Sequence, residues 1–445
     1  MSEPVMRMMR WAEMPTDARQ SLLHRGLDDI FDPALRTGVS RIIDDVRTNG
    51  DEAVCRALRD FDGVTLDPSQ LRITDDEFDQ ADLAVGAGLR TAIVEMIDHI
   101  RRFNDQVMAR KGANWSFESS PGLTVGEKIT PIASAGLFCP SGKASYPSVL
   151  AQLGGPAVVA RVPHIVVITP PMPGSPTGDV DPATLVVASL LGLRNVFRVN
   201  GPAGIAAVAF GTETIPKVVK VMGPGSPAVT CAQVEVQRYG CSTMMLLGPT
   251  ESMIIADDSA DPIRLAADLL IEAEHGTDST VVLVSLSESV AHAVEVQLGL
   301  QLAALPDRRA EAARSSLGVN GGCVLVQSLA EAYEVANAFG AEHLQLAVAA
   351  PEDALAALHC AGEILIGQHT PFSAANFVIG CPASLPTSGF ASVSSGVTAE
   401  AFLKRTAVAE ATEEALRRLA PSVVALADHE GFPAHGNAIR LRFPS

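Results

Sequence analysis

The chain has 445 residues, more than one hydrophobic core ordinarily serves, so two or more domains are expected. Hydrophobic residues make up 47% of it, yet no apolar run reaches the roughly 18 residues of a membrane span. The formal net charge of −18 leaves no basic stripe to displace counterions from phosphates, which excludes nucleic acid as an expected partner.

Seven cysteines form no C-x-x-C pair and no even framework, so they read as reduced thiols. The first residues lack the apolar stretch of a signal peptide, and a cytoplasmic protein is expected.

In chain order, residues 1–33 read as a polar, helix-prone lead without a core of its own. Residues 42–61 read as two helices joined at Asn49 and Gly50, and 86–111 as a further helix. Near Ile129 the texture changes to short apolar runs bounded by Gly and Pro. Strands are expected at 134–138, 164–169, 196–199 and 218–222, with helices at 148–160 and 182–192 between them. A second series has strands at 253–256, 281–286, 324–326 and 362–366, and helices at 261–274, 288–303 and 329–339. The alternation predicts an α/β fold of two doubly wound, Rossmann-like parallel-sheet domains. The expected boundaries are a helical extension at 1–33, a first domain from 34–135 and 251–397, and a second domain at 136–250. The rest, 398–445, reads as a charged helix over 399–418 and a tail too poor in apolar bulk to fold alone. Such a tail has to dock on something, for instance a partner subunit.

Three histidines stand near carboxylates: His275 after Glu272, His343 after Glu342, and His435 after Glu430. Imidazole and carboxylate together suit a borderline metal such as zinc, and they also form a general acid/base pair. Asp261 and Pro262 open a helix whose last turn presents Glu272 and His275 on one side, since they are three apart. That spacing can share a metal, or simply be a solvated helix end with a His at the dipole's negative pole. Glu342 and His343 follow the helix-ending Gly340. As neighbours they point apart, which suits two separate roles, or else an exposed polar turn. The glycine-rich segments 139–143, 200–204 and 222–226 each follow an expected strand and could hold a phosphate, although none spells G-x-G-x-x-G.

Read in order, a series of segments resembles the histidinol dehydrogenase family. They are DDVRTNGD at 44–51, GLFCPSGKASYP at 136–147, FGTETIPKV at 210–218, GPTE at 248–251, DLLIEAEHG at 268–276, EHL at 342–344, LPT at 385–387, FLKR at 402–405 and EGFPAH at 430–435. The resemblance implies a zinc enzyme that uses NAD to oxidise an amino alcohol, through the aldehyde, to the acid. It also implies a homodimer in which the C-terminal tail of one subunit completes the other's site, in keeping with the orphan tail.

Carried over residue by residue, the resemblance implies metal ligands at Glu272, His275, Asn376 and His435, where Glu272 replaces a Gln and Asn376 an Asp. Four N/O ligands and one carboxylate remain, so zinc binding stays chemically reasonable. Glu342 and His343 are the implied catalytic pair, and Ser148, Thr250 and Glu430 the implied substrate contacts, with Thr250 standing for a Ser. Pro382 and Ala383 stand where the family has Asn-His, Phe377 where it has Tyr, and Phe372 where it has Glu. On the cofactor side, Phe138, Ala203 and Ser226 replace a Tyr, a Gln and an Asn. Each hydrogen bond lost there is worth about 0.5–1.5 kcal/mol. The leading expectation is a zinc- and NAD-dependent dehydrogenase acting on histidinol or a related polar primary alcohol. The alternatives are a non-redox hydrolase or hydratase on the same scaffold, and a catalytically silent dimer that only binds metal or ligand.

Overall fold

The computed structural model describes residues 4–443, apart from 24, 26–31, 142–144 and 245–247. The end of the glycine-rich segment 139–143 therefore lies outside the described residues, as does part of the 1–33 lead.

Two parallel sheets organise the α/β fold. The smaller has the order β6-β5-β4-β7, with β4 Ser134–Phe138, β5 His164–Thr169, β6 Val196–Arg198 and β7 Lys220–Met222. The larger has the order β1-β10-β9-β8-β11-β12, with β1 Met8–Arg10, β8 Glu251–Ala256, β9 Thr280–Ser285, β10 Gly322–Leu325, β11 Ala341–Ala347 and β12 Ala361–Ile366. Every residue of β8, β9 and β11 is buried. This is the reason β8 and β9 run mostly apolar without alternation: helices cover both faces of a parallel sheet. Alternate residues still sort to opposite faces. Ile165 and Val167 pack with Ile93, Met96 and Leu150 on one side of the smaller sheet. Val166 and Ile168 pack with Val39, Ile43 and Ile205 on the other. In the larger sheet Ile254 and Leu283 face the helix Pro262–Ala273, whereas Met253 and Val284 face the helix Leu329–Phe339.

The helices start where their caps dictate. The Asp261 carboxylate accepts the Ile263 N–H at 2.9 Å with Pro262 in the first turn, and Ser328 and Ser287 cap the helices that follow them. Among the described residues, no helix is long and apolar enough to cross a membrane.

Three expectations are corrected. Residues 1–33 are not a coreless helical lead: Val5 and Met6 are buried in the core, and β1 pairs with β10 at the sheet edge. The helices Pro33–Ala57 and Ala87–Lys111, grouped above with the second series of strands, pack against the smaller sheet instead. Residues 399–418 are not one helix. After a short turn of helix at Ala399–Phe402, β13 Leu403–Ala411 pairs antiparallel with β3 Leu123–Pro131, which also pairs with β2 Trp115–Ser120. The Ala, Glu, Lys and Arg content of β13 favours helix locally, and nine cross-strand partners override it. Two terminal helices follow, Glu413–His429 and Pro433–Arg440, which pack on each other and leave Leu419, Leu426, Phe432 and Leu441 exposed.

Gly223 lies just past β7 with φ 141°, and a Cβ there would collide with the Phe138 carbonyl at the end of β4. Gly223→Ala is therefore expected to lower the unfolding free energy by roughly 1–3 kcal/mol in a denaturant titration. Gly88→Ala, in a helix with open space around it, should be neutral or stabilising. Equal midpoints for the two variants would contradict the close approach of β4 and β7.

Candidate active site

A cavity of about 480 Å³ opens between the two sheets. From the smaller sheet it meets the loops after the carboxyl ends of β4 and β7, through Pro140 and Pro224 to Pro227. From the larger sheet it meets the amino ends of the strands, through Thr250 before β8, Ser279 before β9, and Glu342 and His343 in β11. This geometry makes the cavity bipolar. The helices Pro147–Val159 and Pro227–Val236 present their N-termini, neither capped by a side chain, and the helix Pro262–Ala273 presents its C-terminus. Partial positive charge thus faces one side and partial negative charge the other.

Glu272 sits in the last turn of that helix, 1% exposed. Its Oε1 accepts the Asn376 amide at 2.7 Å. Its Oε2 is buried without a hydrogen-bond partner and lies 3.6 Å from His275 Nε2. His275 Nδ1 is 3.5 Å from the Thr250 hydroxyl. A buried carboxylate at a helix's negative end, with one oxygen unsatisfied, asks for a cation. Carboxylate oxygen, imidazole nitrogen and amide oxygen suit a borderline divalent ion. These residues fit a metal. Among the described residues, no group of three or more His, Cys, Asp or Glu side chains is gathered to hold one. The ionisable donors at this corner of the cavity are Glu272 and His275, 3.6 Å apart.

Glu342 and His343 are not in an exposed turn. They follow Ala341 in β11, 9% and 3% exposed, with His343 Nε2 3.7 Å from Glu342 Oε1. Burial pushes the Glu342 carboxyl up to about 8, His343 working against the shift and Glu272 adding to it. Burial alone would lower the His343 imidazole, but Glu342, Glu272 and Glu363 outweigh it and raise it to about 10. Glu342 Oε2 accepts the Glu251 N–H at 3.0 Å. Glu251 is itself buried against Arg25 at 2.7 Å, and the Ser388 N–H donates to its other oxygen at 2.9 Å. Burial raises the Glu251 carboxyl even so, with Arg25 opposing.

Of the catalytic, metal-binding, cofactor-binding and substrate-binding residues expected from sequence, Ser148, Ser226, Thr250, Glu272, His275, Glu342, His343 and Asn376 all line this cavity. Four do not. Phe138 and Ala203 are each 2% exposed and belong to the core beneath the smaller sheet, where apolar side chains settle. Glu430 and His435 lie exposed on the terminal helices, outside the cavity of their own chain. Sequence reasoning missed Arg25, Glu251 and Glu363. A charge inside an apolar strand, as in Gly362-Glu-Ile-Leu-Ile366, was the available signal for the last.

Comparison with known proteins agrees in one direction. The sequence model of the histidinol dehydrogenase family matches residues 29–443. The chain is 38% identical to a histidinol dehydrogenase of Xanthomonas campestris, covering 98% of this chain and 99% of that one. It is 40% identical to histidinol dehydrogenase homolog 2 of Mesorhizobium japonicum, covering 95% and 94%. The crystal structure of histidinol dehydrogenase from Elizabethkingia anophelis superposes with a TM-score of 0.92 at 30% identity, over 99% of both chains.

Arg25→Met would leave Glu251 buried and unpaired. We expect it to lower the unfolding free energy by about 3–5 kcal/mol at neutral pH. A carboxyl whose folded-state pKa is raised destabilises the fold when ionised. The deficit should therefore shrink as the pH falls toward the ordinary carboxylate range. A deficit that is absent, or that grows on acidification, would contradict this pairing.

Proposed function

The chain belongs to the histidinol dehydrogenase family, and from that premise we propose that it oxidises a polar primary alcohol, an amino alcohol such as L-histidinol or a relative of it, to the carboxylic acid. The oxidant would be NAD, and the cavity would hold one zinc ion. The observation that carries this reading is the convergence of Glu342 and His343 with Glu272, His275 and Asn376 on one cavity.

Glu272, His275 and Asn376 would hold the zinc, with His435 arriving from a second copy of the chain. When bound, the ion supplies a Lewis acid that fixes the substrate's hydroxyl or amino group. NAD, when bound, supplies the carbon that accepts hydride. The uncapped start of the helix Pro227–Val236, with the Ser226 hydroxyl, offers a place for its pyrophosphate; Phe138 and Ala203 are too deep to contribute.

His343 takes the proton of the substrate hydroxyl while hydride leaves the same carbon, giving the aldehyde. It has to be neutral for this, and since Glu272 is one of the carboxylates that raise it, a cation held by Glu272 would bring it closer to neutrality. Glu342 then takes a proton from the water that adds to the aldehyde carbon, and the hydrate gives up a second hydride to become the acid. Its carboxyl, raised to about 8, is suited to exchanging a proton near neutral pH. The balance is one alcohol, one water and two oxidised nicotinamides to one carboxylate, two reduced nicotinamides and three protons. Ser148 and Thr250 line the same cavity and would orient the substrate's polar groups, with Glu430 joining from the second chain's tail.

A non-redox hydrolase or hydratase is the competing reading, favoured by the withdrawal of Phe138 and Ala203 from the cavity. Absorbance of reduced nicotinamide with a panel of amino alcohols and polar diols separates the two. We expect a signal that His343→Asn lowers by roughly 10²–10⁴-fold. Glu342→Gln should instead let aldehyde accumulate, detectable with a hydrazine trap. No reduction across the panel would leave the non-redox reading. The exposed apolar side chains of the terminal helices support a dimer with exchanged tails. Mixed dimers carrying Glu342→Gln on one chain and His435→Ala on the other should then regain acid formation that neither pure dimer has. Failure to recover any, with dimers verified by light scattering, would remove the shared site.

A further inference from the structure

The proposed chemistry leaves a cluster behind His343 unused. β11 and β12 run parallel with His343 and Glu363 as register partners, so both side chains leave the sheet on the same face. Glu363 Oε1 lies 2.5 Å from His343 Nδ1, and the two side chains are 6% and 3% exposed. The other Glu363 oxygen accepts the Cys381 thiol at 3.3 Å. Burial, and then Glu363 itself, pushes that thiol up to about 12, so it stays protonated and remains a donor. The ring of the fully buried Phe372 meets the imidazole edge-on, with centroids 5.8 Å apart. The imidazole is thereby held on one side by a carboxylate and flanked by an aromatic ring.

Resting on the reading of His343 as the base, we infer that Glu363 is the positioning residue of the reaction, fixing the ring and the proton on Nδ1, and that Cys381 steadies Glu363. An imidazole whose Nδ1–H is donated to a carboxylate has its lone pair on Nε2, the nitrogen on the Glu342 side. The same carboxylate stabilises the imidazolium formed once Nε2 has taken the substrate proton. No new bond to substrate is required of Glu363. Its effect passes through His343.

Two measurements test this. In protein labelled with ¹⁵N-histidine, the His343 Nδ1 proton should give a far low-field resonance, assigned by its loss in His343→Asn. Glu363→Ala should abolish it, and Cys381→Ser, which keeps a donor, should retain it. This arm needs no turnover and decides the inference even if the dehydrogenase reading fails. Survival of the resonance in Glu363→Ala would overturn the inference. The second arm uses whichever alcohol of the panel is oxidised. Glu363→Gln would donate its amide to Nδ1 and force the proton onto Nε2, so kcat should fall by roughly 10³–10⁴-fold. Glu363→Ala, which imposes no tautomer, should fall by only roughly 10–100-fold. KM should change less than about threefold in both, since a positioning residue leaves binding of substrate intact. A loss no greater in Gln than in Ala, with both variants melting like the wild type, would overturn the tautomer role.

Discussion

The cost of keeping charge out of water is the constraint on which this site depends. Glu251, Glu272, Glu342 and the side chain of Glu363 are all buried around His343, at the amino ends of adjacent parallel strands and one helix C-terminus. An isolated buried carboxylate is strongly unfavourable, so each must be hydrogen-bonded, paired or neutralised. Glu251 has Arg25 and the Ser388 N–H, Glu363 has His343 and Cys381, and Glu342 has the Glu251 N–H. Glu272 alone in this group keeps a fully buried oxygen with no hydrogen-bond partner among the described residues. The compensations link the groups into one network, in which shifts at Glu342 and His343 are two faces of the same electrostatic balance.

The fold puts that network where it can act. The larger sheet turns its amino ends, and hence the negative end of the helix Pro262–Ala273, toward the cavity. The smaller sheet turns its carboxyl ends and two helix N-termini toward the same space. A cation and an anionic cofactor would therefore be drawn to opposite walls, with a substrate between them and Glu342 and His343 at hand.

How much of this is legible in the sequence varies with the element. The strand and helix alternation and the start of the helix Pro262–Ala273 follow from apolar runs, Asp261 and Pro262, and the structure bears them out. So does the Glu272 and His275 spacing on one side of its last turn. The strand β11 does not read as one, because Glu342, His343 and Gln345 interrupt its apolar residues; inside the sheet the Gln345 amide donates to Asp268, His343 meets Glu363 and Glu342 accepts the Glu251 N–H, which offsets much of the cost of burying them. β13 is hidden for a different reason: its composition favours helix, and pairing with β3, distant in sequence, decides otherwise. Phe138 and Ala203 can be matched to a family position, but matching position says nothing of depth, and their apolar side chains belong to the core.

The most direct test of the account is a crystal structure of the protein grown with zinc, using anomalous scattering at the zinc edge. We predict one peak per subunit within bonding distance of Glu272 Oε2 and His275 Nε2, closed by Asn376 and by His435 from the other chain. Glu272 Oε2 satisfied by water or a protein donor, with no zinc peak beside it, would contradict the claim that the buried carboxylate network is built around a cation.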